Sequence, residues 1–552
     1  MKQTFKPLAM AAAVAAASAG YSGVLNAQNT TVNGIGDLAL IPYYTVEANF
    51  QTGVHIINTS DSTQVVKLRF RRAADSMDAL DINLVMSPRD EWTGNLNDDT
   101  GEMLLTTEDK TCTVPRASAG KPDGVFAFPD LYREGAEEGY IEVIAMGTPV
   151  DQSSDDSGLD GETDENTAIA EAAEHVDGVP RDCDAVRENF FSRNAIVLGL
   201  NNKVLPDYGN IDYATTAMEW WDDLADVGTD EPTELVTITY RDSDDALRVS
   251  FFLRDDATGL EFGNEAVHIT NFLNDPSMSN QQYGLFAGDT SGFDYPDLNG
   301  GMPTGPAAVP GFVTSYNGMR QRYNAIRSLL GVDSVLNDWS TASERNVSTD
   351  WVVTFPGQYV MTDYYPFTTG NVLGLFECGE ASPLYDDGDT DVPECDFRDL
   401  PIRAELSGAN GGEWDREEGQ LDPEDGELVV SPSIPGAVVT TTFENEVNVI
   451  EWTDGVNLPV LDSNYAITVD TSDYAQPFGW AQLAVREGNS NPQLICDWDG
   501  DQGSLDIEGV GQPLPLMYCD SSVTPGIPMI GFVAWERNFP SNPAANYGRI
   551  IE

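Results

Sequence analysis

Lysine and histidine are nearly absent from this chain. Its 552 residues include six Lys and three His, and two of the Lys, Lys2 and Lys6, stand in the first seven positions. Imidazole chemistry is therefore limited to His55, His175 and His268. The first and last of these sit in apolar strand contexts that read as packed or hydrogen-bonded side chains. Catalytic signatures are missing as well. Gly288-Asp289-Thr290-Ser291-Gly292 lacks the spacing of a nucleophile elbow, and no His-Glu-x-x-His, Walker lysine loop or Gly-x-Gly-x-x-Gly after a strand occurs. Without Cys-x-x-Cys or Cys-x-x-Cys-His, zinc and haem are disfavoured along with nucleotide and dinucleotide cofactors. Beyond the N-terminus no apolar run reaches the roughly 18 residues a membrane-spanning helix needs.

What the chain has in excess is acid. Asp and Glu number 91 against 28 Lys and Arg, a net charge of -63. A polyanion of this size repels nucleic acid and anionic membrane surfaces, so neither is an expected partner. Self-repulsion weakens as the Debye length shrinks from about 10 Å at 0.1 M salt to about 3 Å at 1 M. The composition therefore fits a saline habitat or bound divalent cations, with plain solubility as the simpler alternative.

The N-terminus reads as an export signal. Lys2 and Lys6 precede a small-residue apolar stretch from Leu8 to Ala19, and cleavage is expected after Ala27 or after Ala19. The expected organisation is a signal peptide over 1–27, an N-terminal β-sandwich domain over 28–230 with an acidic insert, and a β-rich region over 231–552. That last region is expected to hold a second sandwich and an acidic insertion at 378–427. Export makes disulfides the natural state of the six cysteines. Their order suggests Cys112 with Cys183, Cys378 with Cys395, and Cys496 with Cys519, one of the 15 pairings six cysteines allow.

The densest strand signal lies between Leu40 and Trp92. Val66, Leu68 and Phe70 alternate with Lys67, Arg69 and Arg71, a period of two that puts apolar and cationic side chains on opposite faces. A strand around Val54, Ile56 and Ile57 precedes it across the turn Asn58-Thr59-Ser60-Asp61-Ser62, and Leu80 to Met86 follows. Short polar turns between these strands suggest a meander whose apolar face is covered by a second sheet. Fifty Gly and 32 Pro favour a turn-rich β protein over a helical one. The expected fold class is thus mainly β: antiparallel β-sandwich domains, Ig-like or jelly-roll-like, with long acidic loops and a few short helices. Asn166 to His175 and 316–330 are the helical expectations that bear most on the argument.

The loop from Asp497 to Glu508 holds the most specific ligand pattern. Asp497, Asp499, Asp501 and Glu508 occupy the first, third, fifth and twelfth positions used by an EF-hand loop, with Asp506 between them. The glycine required at the sixth position is Gln502 instead, so the match is to an irregular Ca²⁺ loop or to a solvated acidic turn. Asp387, Asp389 and Asp391 form a second acidic turn, and each of the two lies inside a presumed disulfide bracket. Ca²⁺ is the ion such oxygen-rich loops would take. Lys67, Arg69, Arg71 and Arg72 are the one basic cluster. They read either as a docking face or as a solvent-side strand face paired across the sheet with Asp or Glu.

No family motif is matched. In general look the chain resembles bacterial surface and matrix proteins, a likeness of class alone. The first functional expectation is an exported, non-enzymatic surface, matrix or adhesion-type protein that binds polysaccharide or another surface protein. A secreted polysaccharide hydrolase is the alternative, since it needs only two carboxylates about 5–9.5 Å apart in a groove. The ten Trp and 20 Tyr would serve either reading, or simply pack the core.

Overall fold

The computed structural model describes residues 29–149, 167–191, 240–273, 329–357, 441–487 and 527–551, short gaps aside, with brief strand segments and single positions between them. The described residues are mainly β, arranged in several antiparallel sheets. The first sheet runs, neighbour by neighbour, through Asn29–Thr30, Val267–Thr270, Leu38–Thr45, Glu138–Pro149, Gln64–Arg72, Asp78–Met86 and Cys112–Val114. A second is ordered Leu260–Glu265, Leu247–Asp255, Phe50–Asn58, Glu91–Asn97, Leu104–Thr106 and Val125–Ala127. Strands from both sides of residue 231 share these two sheets.

The expected meander is corrected. Phe50–Asn58 pairs with Leu247–Asp255 and Glu91–Asn97, whereas Gln64–Arg72 pairs with Asp78–Met86 and Glu138–Pro149. The turn after Asn58 thus carries the chain from one sheet to the other. The reason lies in the apolar pattern. Val54 and Ile56 share one hydrophobic cluster with Val66, Leu68 and Phe70, and the two sets meet across that core instead of lying side by side. Asn58 Nδ2 fixes the crossing by donating to the carbonyls of Ser62 and Ser87, both at 2.8 Å.

Two further sheets follow. In the third, Phe478–Glu487 is flanked on one side by Ser334–Ser340 and on the other by Gly412–Asp415 and Ile402–Glu405. The fourth is ordered Ala466–Asp470, Val447–Thr453, Val347–Thr354, Ile530–Arg537 and Tyr547–Ile551, and its Ala466–Asp470 strand is parallel to its neighbour. The fourth sheet has two buried faces. Trp351, Val353, Ile450, Trp452 and Val533 pack towards Trp339, Ala481 and Leu483 of the third sheet. Val352, Val449, Phe532 and Ala534, one position out of phase, join the core of the first two sheets.

Helices are short. Thr167–Ala173, inside the expected 166–175 segment, and Cys183–Phe191 pack on Val65, Val85, Val114 and Met146 at the back of the first sheet. The Cys112–Cys183 disulfide, with Cα atoms 5.2 Å apart, ties the second helix to that sheet.

The basic cluster requires a second correction. Lys67, Arg69 and Arg71 pair across the sheet with acids, but their face is buried, not turned to solvent: the three are 0–1% exposed. Lys67 Nζ lies 3.1 Å from Asp81 Oδ2, and Arg69 Nε lies 3.1 Å from Asp81 Oδ1. On the other side, Arg71 Nε is 2.7 Å from Glu142 Oε1, which also accepts from the Tyr140 hydroxyl at 2.9 Å. Alternation correctly separated cations from apolar residues, but the back of this sheet is covered too. A docking role for this face is excluded by its burial.

Candidate functional site

The residues expected to hold Ca²⁺ fall almost wholly outside the description. Asp387, Asp389, Asp391, Asp499, Asp501, Asp506 and Glu508 lie outside the described residues, as do Cys378 and Cys395. Asp497 belongs to the strand Cys496–Trp498, whose backbone pairs with Met517–Cys519 so that Cys496 stands directly opposite Cys519. Among the described residues, no group of three or more His, Cys, Asp or Glu is placed to hold a metal ion.

Each histidine has a neighbour that accounts for it. His268 is buried, and its Nε2 accepts from the Val249 amide at 2.9 Å, so the ring is neutral with its proton on Nδ1; burial lowers its pKa. His55 Nε2 lies 2.8 Å from Glu91 Oε1. His175 approaches Ser87 Oγ at 3.0 Å and Asp90 Oδ2 at 3.6 Å, a set of residues reminiscent of a hydrolase triad. Both contacts, however, fall on the same nitrogen, Nδ1. A relay needs the two nitrogens to serve nucleophile and acid separately. Ser87 is buried, and Asp90 accepts from its amide at 3.1 Å, so the group anchors a turn.

Buried carboxylates recur as loop clamps. Asp37 accepts from the amides of Phe272 and Leu273 at 2.9 and 3.0 Å, and Asp350 from those of Val460 and Leu461, both at 2.7 Å. Glu138 receives the Tyr43 hydroxyl at 2.6 Å, Ser463 Oγ at 2.5 Å and the Asn464 amide at 2.7 Å. Glu446 receives the Gly357 amide at 2.6 Å. Burial pushes all four upward: Asp37 to about 7, Glu446 to about 8, and Asp350 and Glu138 upward as well. Such perturbation often marks catalysis. Here each group is occupied in holding a backbone turn.

One open feature among the described residues is a cleft of about 610 Å³ where the fourth sheet meets the edges of the other three. Phe251, Trp351, Val352, Ile530, Phe532 and Leu330 give it apolar walls, with Thr30, Thr31, Asn264, Glu265, His268 and Asn337 as its polar groups. Glu265, the one carboxylate on this lining among the described residues, is ion-paired with Arg248. One wall is the edge strand Ser334–Ser340, which pairs with Phe478–Glu487 alone among the described residues. On its other side Ser340 exchanges bonds with Thr349 Oγ1 at 2.7 and 2.9 Å, and the Asp338 carbonyl accepts from Trp351 Nε1 at 2.9 Å. Alternate residues of a strand turn their backbone polar groups the same way, so those of Leu336 face the same side.

Beyond that edge, the outer face of the third sheet carries aromatic residues. Trp414 and Trp480 stand directly opposite one another in the ladder, their rings stacked at 4.1 Å and 17°. The close approach of the two strands depends on Gly479, where an added Cβ would run into the Trp414 carbonyl. Trp480 is 38% exposed and Leu336, across the same sheet, 60%. Sequence reading did not single out Trp414 or Trp480. The usable signal was the alternation of Phe478, Trp480 and Gln482 against Ala481, Leu483 and Val485, which assigns them to opposite faces. Comparison with protein families, with characterised proteins and with solved structures finds no significant match to this chain.

Proposed function

We propose that this chain is an exported, non-enzymatic binding protein of the surface, matrix or adhesion type, built from stacked β-sandwiches of Ig-like or jelly-roll-like kind. The observation that carries the reading is the cleft: apolar walls beside an edge strand, with, among the described residues, a single carboxylate already committed to an arginine. That lining suits the capture of an extended chain, because apolar contact supplies affinity and a few polar groups set orientation. A retaining or inverting hydrolase would require a second carboxylate roughly 5–9.5 Å from the first. The shared core of the first two sheets supports the sandwich assignment. Export rests on the N-terminal pattern, and Ca²⁺ stabilisation on the acidic loops around 386–391 and 497–508.

The test has two arms. Protein expressed with its own leader is recovered from each cell fraction and sequenced from its N-terminus, with Gln28 or Gly20 expected first outside the cytoplasm; protein kept in the cytoplasm with Met1 intact removes the export reading. The same protein is incubated with soluble polysaccharides while new reducing ends are assayed. None are expected, and steady release would convert the reading to the hydrolase.

A further inference from the structure

We propose that residues 460–464 form a pH-operated latch, closed while the Asp350–Glu451 carboxyl pair holds its protons and released as the pair ionises. The segment bridges two bodies. It follows the Val447–Thr453 strand of the fourth sheet, and its Val460 and Leu461 side chains are buried in the core of the first two sheets. Carboxyl groups grip it along its whole length. Asp350 Oδ2 accepts from the Val460 and Leu461 amides, both at 2.7 Å. Glu451 faces the Ser463 amide. From the first sheet, Glu138 takes Ser463 Oγ at 2.5 Å and the Asn464 amide at 2.7 Å. Between these grips Asp462 is held at φ 49°, in the left-handed region that a Cβ disfavours. The backbone resists the closed turn, and the carboxyls hold it there.

The grips differ in how well they bear charge. Glu138 receives three donors, the Tyr43 hydroxyl included, which offsets part of the cost of burying an anion. Asp350 is 0% exposed and receives both amides on one oxygen, and its Oδ1 has no hydrogen-bond partner among the described residues. A bare anionic oxygen sealed from water is costly, and protonation removes the charge. Glu451 stands directly opposite Asp350 in the ladder, a spacing at which like charges oppose pairing. The pair is therefore the part of the latch that ionisation disturbs most.

The surroundings act in the same direction. Burial, chiefly, carries Asp350 well above the carboxylate range and Glu451 to about 7. Neighbouring acids add to it: Glu451 and Glu536 act on Asp350, Asp462 and Glu138 on Glu451, and Glu47 on Glu138. Glu137 and Asp98 in turn face Glu47, and the cation Arg72, at the end of Gln64–Arg72, faces Tyr44. Opening returns the pair to ordinary values, so the closed form holds more protons than the open one. The latch is thus tightest in acid. Each proton released on opening raises the opening constant about tenfold per pH unit until the closed-form value is passed.

The experiment is amide hydrogen exchange of the full chain from pH 5 to pH 8 at 1 M NaCl, which screens the surface charge, with the intrinsic pH dependence of exchange removed. Opening constants at the Val460 and Leu461 amides are expected to rise by roughly tenfold or more per unit between pH 5 and pH 7. They are also expected to stay above those of Leu68 and Val143, which report unfolding of the first sheet. Glu451→Gln, at a half-buried position, ends the like-charge pairing and is expected to lower the slope, as is Asp350→Asn. Melting curves of both variants establish that the fold persists. The wild-type series decides the question even where a variant fails to fold. A flat profile at Val460 and Leu461, or opening constants equal to those of Leu68 and Val143 throughout, overturns the latch. An unaltered slope in a folded Glu451→Gln protein overturns the role of the pair and the proposal with it.

Discussion

Two strand faces in this molecule invert the usual distribution of residues. Behind the first sheet, three cations of Gln64–Arg72 are sealed from water among Asp81, Glu142 and Tyr140. On the outside of the third sheet, an indole stack is left partly wet. The contrast shows that period-two alternation assigns side chains to faces without saying which face is covered. Coverage depends on what else packs there: among the described residues the first sheet has layers on both sides, whereas the third has a layer on its inner side and the partly exposed Trp480 on its outer side.

The contrast breaks most visibly where a buried charge loses its partner. Asp81→Ala leaves Lys67 and Arg69 short of a carboxylate and is expected to cost about 3–5 kcal/mol, read by urea unfolding. Asp61→Ala, which removes the exposed partner of Arg89, should cost at most about 1 kcal/mol. Similar losses for the two would mean that burial of the ladder has no energetic consequence.

Next in size is the covalent tie. The Cys112–Cys183 bond closes a loop 71 residues apart in sequence, and Cys183→Ser is expected to lower stability by about 2–4 kcal/mol. The helices over the back of the first sheet should become protease-sensitive first, and unchanged cleavage there would detach the disulfide from that cover.

Buried carboxyl groups, two of the clamps among them, give a pH dependence. Asp37, Glu451 and Glu536 are raised to about 7 and Glu446 to about 8, chiefly by burial. In the unfolded chain these groups titrate near 4, so between about pH 4.5 and 8 the folded state holds more protons than the unfolded state. Their contribution is fully present below the unfolded values and is lost as pH rises through the folded ones. Melting temperature at 1 M NaCl, where surface repulsion is screened, should therefore fall from pH 5 to pH 8. A rise would place the dominant titration elsewhere.

The smallest expected effect sharpens the aromatic side of the comparison. Trp452→Ala in the core should cost about 3–5 kcal/mol, whereas Trp480→Ala should cost about 0.5–1.5 kcal/mol, the worth of one stacked pair. Equal costs in thermal or urea unfolding would make Trp480 a structural residue.

Much of the β character was legible because strand periodicity is local. The alternation of Val66, Leu68 and Phe70, the 140–146 strand and the helix within 166–175 all need only neighbouring residues, and all are found. Pairing partners were not legible. Asp81 and Glu142 lie 12 and 73 positions from Arg69, and Leu247–Asp255 reaches back to Phe50–Asn58 across nearly two hundred residues. Short turns suggested adjacency where the chain in fact crosses the core. The stacked indole pair was hidden for a similar reason: Trp414 and Trp480 become neighbours only when the ladder forms. Of the acidic loop residues only Asp497 falls among the described residues, in a strand.

The fourth sheet has one more consequence. Its Val347–Thr354 strand sends Trp351 and Val353 to one interior and Val352 to the other, so neither hydrophobic body is complete without it. Dividing the polypeptide on either flank of this common wall would strip an oily surface bare. Calorimetry should accordingly record the two bodies melting together as one cooperative unit.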